Sequence, residues 1–468
     1  MKYLVALFFI CNTLAAKAQT PEFNIRYSPN LSTYQFLKMV TSVNGNNPYK
    51  KSYLQSTYNN DANNALLKEF EALTVNYTYE YYDYPYGSKV PGMTESLLKK
   101  NLVMTNSITE FKERSIGIIT NKDLVTLTRI LTAFTPIYEQ LIFLPNQTAF
   151  NHQLATLKNY TKQKNIAQYF TKGLQLYGSS WDSTINCEMI FYPLPPSEGF
   201  SAEAFYNISV SALPINYTDY ATLLSVMLHE LYHIQFDEQP LATKQLIENT
   251  FNKNKHTGSR YAALLLNEAL ATAAANGYVY EQLTGKPDSS DWYFFPYINQ
   301  MAKKIYPIVK NYLANNKTID NHFINEYCNI YQTFFAEWQW KTEHIFTYRY
   351  VLASQRTDFS VLNQLFPYCS MFEAEDAINM GSLQKMKEKP LTKIIIISKN
   401  HAAQLQLVKQ YFPELFKNTL DHTKEFCKTA LLSDKTRIVL VNKHQSSTEK
   451  LFKTMVEKTF GQSILTAN

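Results

Sequence analysis

The string His-Glu-Leu-Tyr-His at residues 229–233 holds the side chains of this chain that are best suited to chemistry. It lies in a segment with helical periodicity, residues 218–236, where histidines four positions apart project from one side of the helix. That spacing suits two imidazole ligands of one Zn²⁺ ion, and the glutamate between them can reach a water molecule at the ion. The string therefore predicts a zinc site with His229 and His233 as ligands and Glu230 as the general base.

The remainder of the same segment indicates how this site is placed. Thr222 and Ser225 share a narrow polar stripe with the two histidines, whereas leucine, methionine and isoleucine cover most of the other faces. A helix of this kind lines a cleft with its polar stripe and packs its other faces in a core. The alternative is that the pattern arose by chance and that both histidines are ordinary helix residues.

A catalytic zinc site needs a third protein ligand and keeps one position open for water. Glu268 is the candidate, because it lies 35 positions after His233 in a mostly apolar helix predicted over residues 260–276. A carboxylate there is costly to bury unless a cation or hydrogen-bond donors compensate it. The alternative is that Glu268 lies at the solvent edge or pairs with a lysine or arginine.

These residues resemble those of a known family. The His-Glu-Leu-Tyr-His string, followed by Asn-Glu-Ala-Leu-Ala at residues 267–271, is similar to the gluzincins, the zinc metallopeptidases that include thermolysin and the large aminopeptidases. The resemblance covers about 55 residues, 218–273. It implies a metallopeptidase core with two zinc-ligand helices, His229, His233 and Glu268 as the zinc ligands, and Glu230 as the base.

The supporting residues of this site stay open at the level of the sequence. An oxyanion is expected to need a further donor, for which Tyr280, Tyr297, Tyr306 and His344 are candidates. Asn267 and Thr272 are either partners that orient a ligand or simple helix-surface residues. The strand predicted over residues 206–212 either pairs with an extended peptide substrate or only packs in the core.

The order of the elements predicts an α+β fold that is mainly helical. Residues 19–178 show helical patterns, and residues 179–385 hold the peptidase-like core with a small mixed sheet. Residues 386–468 read as strand, helix, strand and helix, which predicts a small α/β module with two parallel strands. The strands of that module include the four consecutive isoleucines at residues 394–397.

Composition and the N-terminus limit the classes of function. A net charge of +6, dispersed over 468 residues without a basic stripe, argues against nucleic-acid binding. Residues 1–18 have the lysine, the apolar run and the Ala-Lys-Ala cleavage site of a secretory signal peptide. We therefore expect export to the periplasm or the extracellular space and no membrane span. The four cysteines after residue 18 either form up to two disulfides or stay free and buried.

The sequence thus predicts an exported zinc-dependent metallopeptidase whose substrate is a peptide or protein. Two other classes remain open. One is a binding or surface protein that holds zinc without catalysis, and the other is a zinc hydrolase that acts on a bond other than a peptide bond.

Overall fold

A computed structural model of the chain describes residues 21–41, 44–197 and 199–460, with side chains up to residue 454. More than half of the chain is helical, and the strands form small sheets, which confirms the predicted α+β class. The predicted signal peptide lies outside the described residues. Among the helices that are described, none has the length and apolar character required to cross a membrane.

The N-terminal part is mostly helical, as predicted, but it also supplies an edge strand to the first sheet. A π-helical segment, Glu139–Phe143, joins two of its longest helices. In chain order the elements are β1 (Phe23–Tyr27), α1 (Pro29–Val40), α2 (Pro48–Leu54), α3 (Asp61–Glu71), β2 (Thr78–Tyr79), β3 (Gly92–Met93), α4 (Thr94–Met104), α5 (Ile108–Arg114), α6 (Asn121–Tyr138), α7 (Leu144–Gln163) and α8 (Ala167–Tyr177).

Three more strands, β4 (Cys187–Leu194), β5 (Ala202–Phe205) and β6 (Ile208–Pro214), complete a four-stranded sheet with the order β1-β4-β6-β5. The first three strands in this order are parallel, and β5 runs antiparallel to β6. Because side chains alternate across a strand, the residues of β4 face two different cores. Met189 and Phe191 pack with the later helices, whereas Ile190 and Tyr192 pack with α1 to α6.

The middle of the chain is a set of helices that covers one face of this sheet. They are α9 (Tyr220–Asp237), α10 (Leu241–Lys253), α11 (Ser259–Ala271), a π-helical segment (Thr272–Val279), α12 (Tyr280–Thr284), α13 (Pro296–Ala314), α14 (Asn321–Phe335), a 3₁₀ turn (Ala336–Trp340) and α15 (Thr342–Ile345). The predicted strand at residues 206–212 is β6, two residues later than expected, because Tyr206 adopts a left-handed turn conformation with φ of 57°.

The remaining residues build a second sheet with the order β10-β11-β9-β7-β8. Its elements are β7 (Tyr348–Ala353), α16 (Thr357–Leu365), β8 (Met371–Glu375), α17 (Met380–Glu388), β9 (Thr392–Ile397), α18 (His401–Tyr411), a 3₁₀ turn (Pro413–Phe416), β10 (Phe426–Leu431), β11 (Arg437–Asn442) and α19 (Thr448–Phe460).

The structure confirms that β9 and β11 are parallel neighbours, as the sequence predicts. The predicted module boundary at residue 386 is wrong, however, because β7 pairs with β9 across it. Both β7 and β8 lie before this boundary, within the region predicted to be the peptidase-like core. Every residue of β7 is buried, so the strand lacks the alternation that distinguishes a half-buried strand from a helix in a sequence.

Candidate metal centre

Helix α9 carries the His-Glu-Leu-Tyr-His string, and α8 holds this helix in place. The Tyr232 hydroxyl and the Gln235 side-chain amide donate hydrogen bonds to the backbone carbonyls of Tyr169 and Phe170 in α8. Gly173 faces both of these side chains so closely that a Cβ atom there would lie 2.2 Å from Gln235 and 2.4 Å from Tyr232. These contacts fix the rotation of α9 about its own axis, which fixes the direction in which the histidines point.

Glu268 lies on α11, and the π-helical segment that follows α11 directly brings a further residue to the site. A π-turn holds more residues than an α-turn, so each residue advances by a smaller angle around the axis. In α-helical geometry Asn276 would lie about 80° around the axis from Glu268. In the structure the Asn276 Oδ1 atom instead lies 3.1 Å from His229 Nδ1.

The helix predicted over residues 260–276 does not end at residue 276. Gly277 lies inside the π-helical segment, and the helical path continues to Thr284, where Gly285 adopts the left-handed capping conformation with φ of 83°. Gly277 instead permits a close approach, because a Cβ atom there would lie 2.7 Å from the Trp292 ring and 2.9 Å from Tyr306. This contact holds the loop after α12 against the helix that carries Glu268.

The three predicted ligands converge. His229 Nε2 lies 3.0 Å from His233 Nε2, and Glu268 Oε2 lies 3.6 Å from each of these nitrogens. Among the residues that the structure describes, this is the only group of three histidine, cysteine or carboxylate side chains close enough together to hold one metal ion. The side chain of Glu268 is 23% exposed, so it does not lie at a fully exposed edge. Among the described residues its ion-pair partners are the two histidines, and no lysine or arginine pairs with it.

These distances fit the edges of a zinc coordination tetrahedron. Zinc–nitrogen and zinc–oxygen bonds of about 2.0–2.1 Å require neighbouring ligand atoms to lie roughly 3.3 Å apart. The three measured separations, 3.0, 3.6 and 3.6 Å, lie on both sides of that value. In addition, Glu268 Oε2 is buried and has no hydrogen-bond partner in the protein. The donor set of two imidazoles and one carboxylate therefore fits Zn²⁺ with one position left for a water molecule or substrate.

Two asparagines set the proton positions of the histidines. Asn276 Oδ1 lies 3.1 Å from His229 Nδ1, and Asn267 Oδ1 lies 3.0 Å from His233 Nδ1. An amide oxygen only accepts hydrogen bonds, so each Nδ1 atom must carry the proton. Each neutral imidazole then directs the lone pair of Nε2 towards the other ring and towards Glu268, which is the arrangement that a metal ligand requires.

The carboxyl group of Glu268 is ionised in this environment. Burial alone opposes its ionisation, but the charge of His233 and polar interactions with His229 and Tyr293 outweigh burial and hold its pKa at about 2. These interactions require a proton on the histidines. A cation bound between the three side chains would take the place of that proton and leave both rings neutral.

Glu230 lies on the neighbouring side of α9 and is partly exposed to the site. Burial raises the pKa of this carboxyl group to about 7, with His233 lowering it and Glu268 and Glu203 raising it further. Glu203 belongs to β5, so the edge of the first sheet lies near this carboxyl group. None of the hydrogen bonds found among the described residues ties Glu230 to another side chain, which leaves its carboxylate available to a water molecule.

A tyrosine that the sequence analysis did not single out lies at the site. The Tyr293 ring is 5.9 Å from the His229 ring, its hydroxyl lies 3.4 Å from that of Tyr368, and it contributes to holding the pKa of Glu268 low. Burial and the charge of Glu268 raise the pKa of Tyr293 strongly, so its hydroxyl remains a donor. Tyr293 lies in a loop without periodicity, in the string Trp-Tyr-Phe-Phe, so no local signal separates it from core aromatics.

Three of the four candidates for the oxyanion donor have partners other than the three ligands. The hydroxyls of Tyr297 and Tyr306 contact Glu343 and Glu281, and His344 is fully buried against the hydroxyl of Tyr331. The fourth, Tyr280, begins α12, and no hydrogen bond or ring contact among the described residues links it to the three ligands. Thr272 is also fully buried, and its hydroxyl has no hydrogen-bond partner. Of the two residues weighed as ligand-orienting partners, Asn267 takes that position.

The strand predicted to receive a peptide is not an edge strand. β6 lies between β4 and β5 and forms hydrogen bonds with both, which leaves no free edge for a peptide. The edge beside α9 belongs to β5, a strand of four residues that the sequence analysis missed. The four described cysteines are free, but only Cys187 and Cys328 are also buried, as the second alternative expected, whereas Cys369 and Cys427 are partly exposed.

None of the known protein families, curated proteins or solved structures with which the chain was compared matches it. The chemistry of this candidate metal centre is therefore inferred from its own geometry.

Proposed function

We propose that the chain is an exported zinc-dependent metallopeptidase, with His229, His233 and Glu268 as the zinc ligands. One observation carries the proposal: ligand atoms from two helices, 35 positions apart in sequence, lie 3.0–3.6 Å from one another and fit one zinc ion. Export rests on the sequence of residues 1–18 alone.

The residues around the ligands support hydrolysis rather than metal storage. When bound, zinc would lower the pKa of a coordinated water molecule and polarise the scissile carbonyl group. Glu230 would take the proton from the attacking water and deliver it to the leaving amine. The Tyr293 hydroxyl is the phenol beside the ligands, and it would donate a hydrogen bond to the oxygen on which negative charge develops.

The first sheet supports a peptide as the substrate. β5 packs against α9 and pairs with β6 on one side only, and no other described strand covers its second edge. An extended peptide can add to such an edge through main-chain hydrogen bonds, which suits substrates of varied sequence. Glu203 on this strand is close enough to Glu230 to raise its pKa, so the peptide would pass beside the general base.

The first experiment measures zinc content by elemental analysis on the purified chain without its signal peptide. We expect one zinc ion per chain, removed by a chelator and restored by added Zn²⁺. The variant Glu268→Ala should retain much less zinc under the same dialysis. A wild-type chain that holds no zinc after loading would contradict the metal site itself.

The second experiment measures cleavage of an unfolded protein such as casein. We expect hydrolysis that a chelator abolishes and that Glu230→Gln reduces by at least about a hundredfold, with zinc content unchanged. Glu113→Gln, an exposed substitution on α5, is the matched control and should retain activity. Zinc binding without hydrolysis would favour the binding-protein alternative, and hydrolysis that survives Glu230→Gln would refute the assigned base.

A further inference from the structure

An aromatic surface adjoins the metal centre. We name Tyr293, Phe294 and Tyr368 the aromatic shelf. Phe294 is 77% exposed, the second most exposed of the large hydrophobic residues that the structure describes. Single exposed apolar residues are common on proteins and need no explanation. Phe294 differs because it belongs to a group of rings that begins at a zinc ligand.

The shelf is continuous with the ligands. The Tyr293 ring lies 5.9 Å from the His229 ring at an interplanar angle of 29°, and the Phe294 ring stacks on Tyr293 at 5.0 Å and 21°. Tyr368 contacts the edge of Phe294 at 5.3 Å and is itself stacked on the buried Phe295 at 3.9 Å. The exposed ring is therefore held by two neighbours that are anchored in the protein.

This arrangement prepares a surface for an apolar group. Contact between an aromatic ring and water is unfavourable, so covering the ring with another apolar group lowers the free energy. A ring that is already fixed loses little conformational entropy when a ligand covers it. Stacking and edge contacts between rings add to the gain from burial.

The position of the shelf points to a part of the substrate. An extended peptide advances about 3.3 Å per residue, so rings next to a zinc ligand reach side chains only one or two positions from the scissile bond. We propose that the aromatic shelf binds an aromatic or large apolar side chain of the substrate at one of these positions. This inference rests on the proposed peptidase function and adds the substrate class.

The test uses a set of fluorogenic peptides that share one sequence. In each peptide, one of the two positions before or the two positions after the scissile bond carries either Phe or Ala. For the zinc-loaded wild-type chain, we expect kcat/KM to favour Phe over Ala by about tenfold at one position. In Phe294→Ala this ratio should fall towards one, and in Phe294→Leu it should fall part of the way. Phe334→Ala, at a 49% exposed ring on α14, is the matched control and should keep the wild-type ratio.

A binding measurement separates this inference from the proposed function. The zinc-loaded Glu230→Gln chain is titrated with the uncleaved Phe and Ala peptides, and we expect about tenfold tighter binding of the Phe peptide, lost when Phe294→Ala is added. A Phe preference in binding without wild-type hydrolysis would support the shelf and contradict the peptidase. Hydrolysis with a Phe/Ala ratio near one, or a ratio that survives Phe294→Ala, would refute the shelf and leave the peptidase standing. The thermal unfolding of each variant is compared with wild type, so that a folding defect is recognised.

Discussion

Two buried carboxylates in this protein have different partners. Asp358 in α16 is almost fully buried, and the Lys443 ammonium group lies 2.7 Å from one of its oxygens. Glu268 in α11 is also largely enclosed, but it faces two imidazole nitrogens at 3.6 Å, and no lysine or arginine among the described residues pairs with it. The charge of Asp358 is thus balanced by a lysine, whereas Glu268 has only two histidines beside it, which carry a charge only when they are protonated.

This difference distinguishes a carboxylate with a structural role from a candidate ligand. A buried charge is costly unless it is paired. At Asp358 the ion pair joins α16 to the end of β11. At Glu268 the two asparagines direct the lone pairs of the neutral histidines at the same point as the carboxylate, which is the arrangement that the proposed zinc ion would require.

The largest effect on stability is expected when the ion pair between Asp358 and Lys443 is broken. Lys443→Met leaves Asp358 buried without its cation and should lower the free energy of unfolding by roughly 3–5 kcal/mol, without changing zinc stoichiometry. Lys424→Met removes the exposed partner of Asp421 and should leave the free energy of unfolding almost unchanged. Urea denaturation measures both. Equal effects of the two substitutions would remove the contrast on which the comparison depends.

Glu268→Gln should give the opposite pattern. Because a four-ligand zinc site binds with about 10–16 kcal/mol, loss of one ligand should weaken zinc binding by roughly 3 kcal/mol, more than a hundredfold. The metal-free variant should lose less stability than Lys443→Met does, because a neutral amide of the same shape leaves no charge buried without a partner. Competition with a chromophoric chelator gives the affinity, and urea denaturation gives the stability. Unchanged zinc affinity would exclude Glu268 as a ligand.

The same comparison applies to the histidines. His229 and His233 face the carboxylate of Glu268, whereas His344 is buried among aromatic rings. Burial lowers the pKa of His344 to about 3, whereas an unfolded histidine titrates near 6.5. The unfolded chain therefore binds a proton that the folded chain does not, and this contribution to stability is complete above about pH 6.5 and is lost as the pH falls towards 3. Lowering the pH from 7 to 5 should therefore reduce the contribution of His344 to the free energy of unfolding by about 2 kcal/mol.

The measurement is urea denaturation at both pH values. His344→Gln should reduce the difference between pH 7 and pH 5 by about 2 kcal/mol. His322→Gln, at an exposed histidine on α14, should leave that difference unchanged. A pH dependence that His344→Gln does not alter would show that His344 is protonated in the folded chain.

The smallest of these effects concerns the π-helical segment. Asn276→Ala removes the acceptor that fixes the His229 ring, and residues in that position typically change metal affinity by about 10–100-fold. We expect the lower end of this range, because the ring also contacts Tyr293. Asn329→Ala, at an exposed asparagine on α14, is the control. An affinity equal to wild type in Asn276→Ala would mean that packing alone orients His229.

Local patterns allowed the sequence to predict part of the site. Two histidines and a glutamate on one helix have fixed mutual positions, so His229, Glu230 and His233 could be assigned from spacing alone. The polar stripe of α9 and the parallel pair β9 and β11 follow from the periodicity of their own residues. The fully buried β7 could not be recognised, because a strand with every side chain in the core shows no period.

Other parts of the site depend on contacts between distant segments. Tyr293 reaches His229 only because the loop after α12 packs against Gly277, and nothing in its own string marks it. Asn276 reaches His229 only because the helix changes to π geometry after Ala271, which no residue pattern announces. The sequence left open whether the strand at residues 206–212 pairs with a peptide or only packs in the core, and the free edge belongs to β5 instead, since pairing partners are set by the whole sheet.

The amino-acid sequence by itself determined the helix that carries two of the proposed metal ligands and the proposed base, and it suggested the third ligand. The tertiary structure decided whether these atoms meet, at 3.0–3.6 Å, and which asparagines and aromatic rings surround them. The reason is physical. Positions along one helix are fixed by backbone geometry, whereas the distance between two helices is fixed by the packing of every side chain between them.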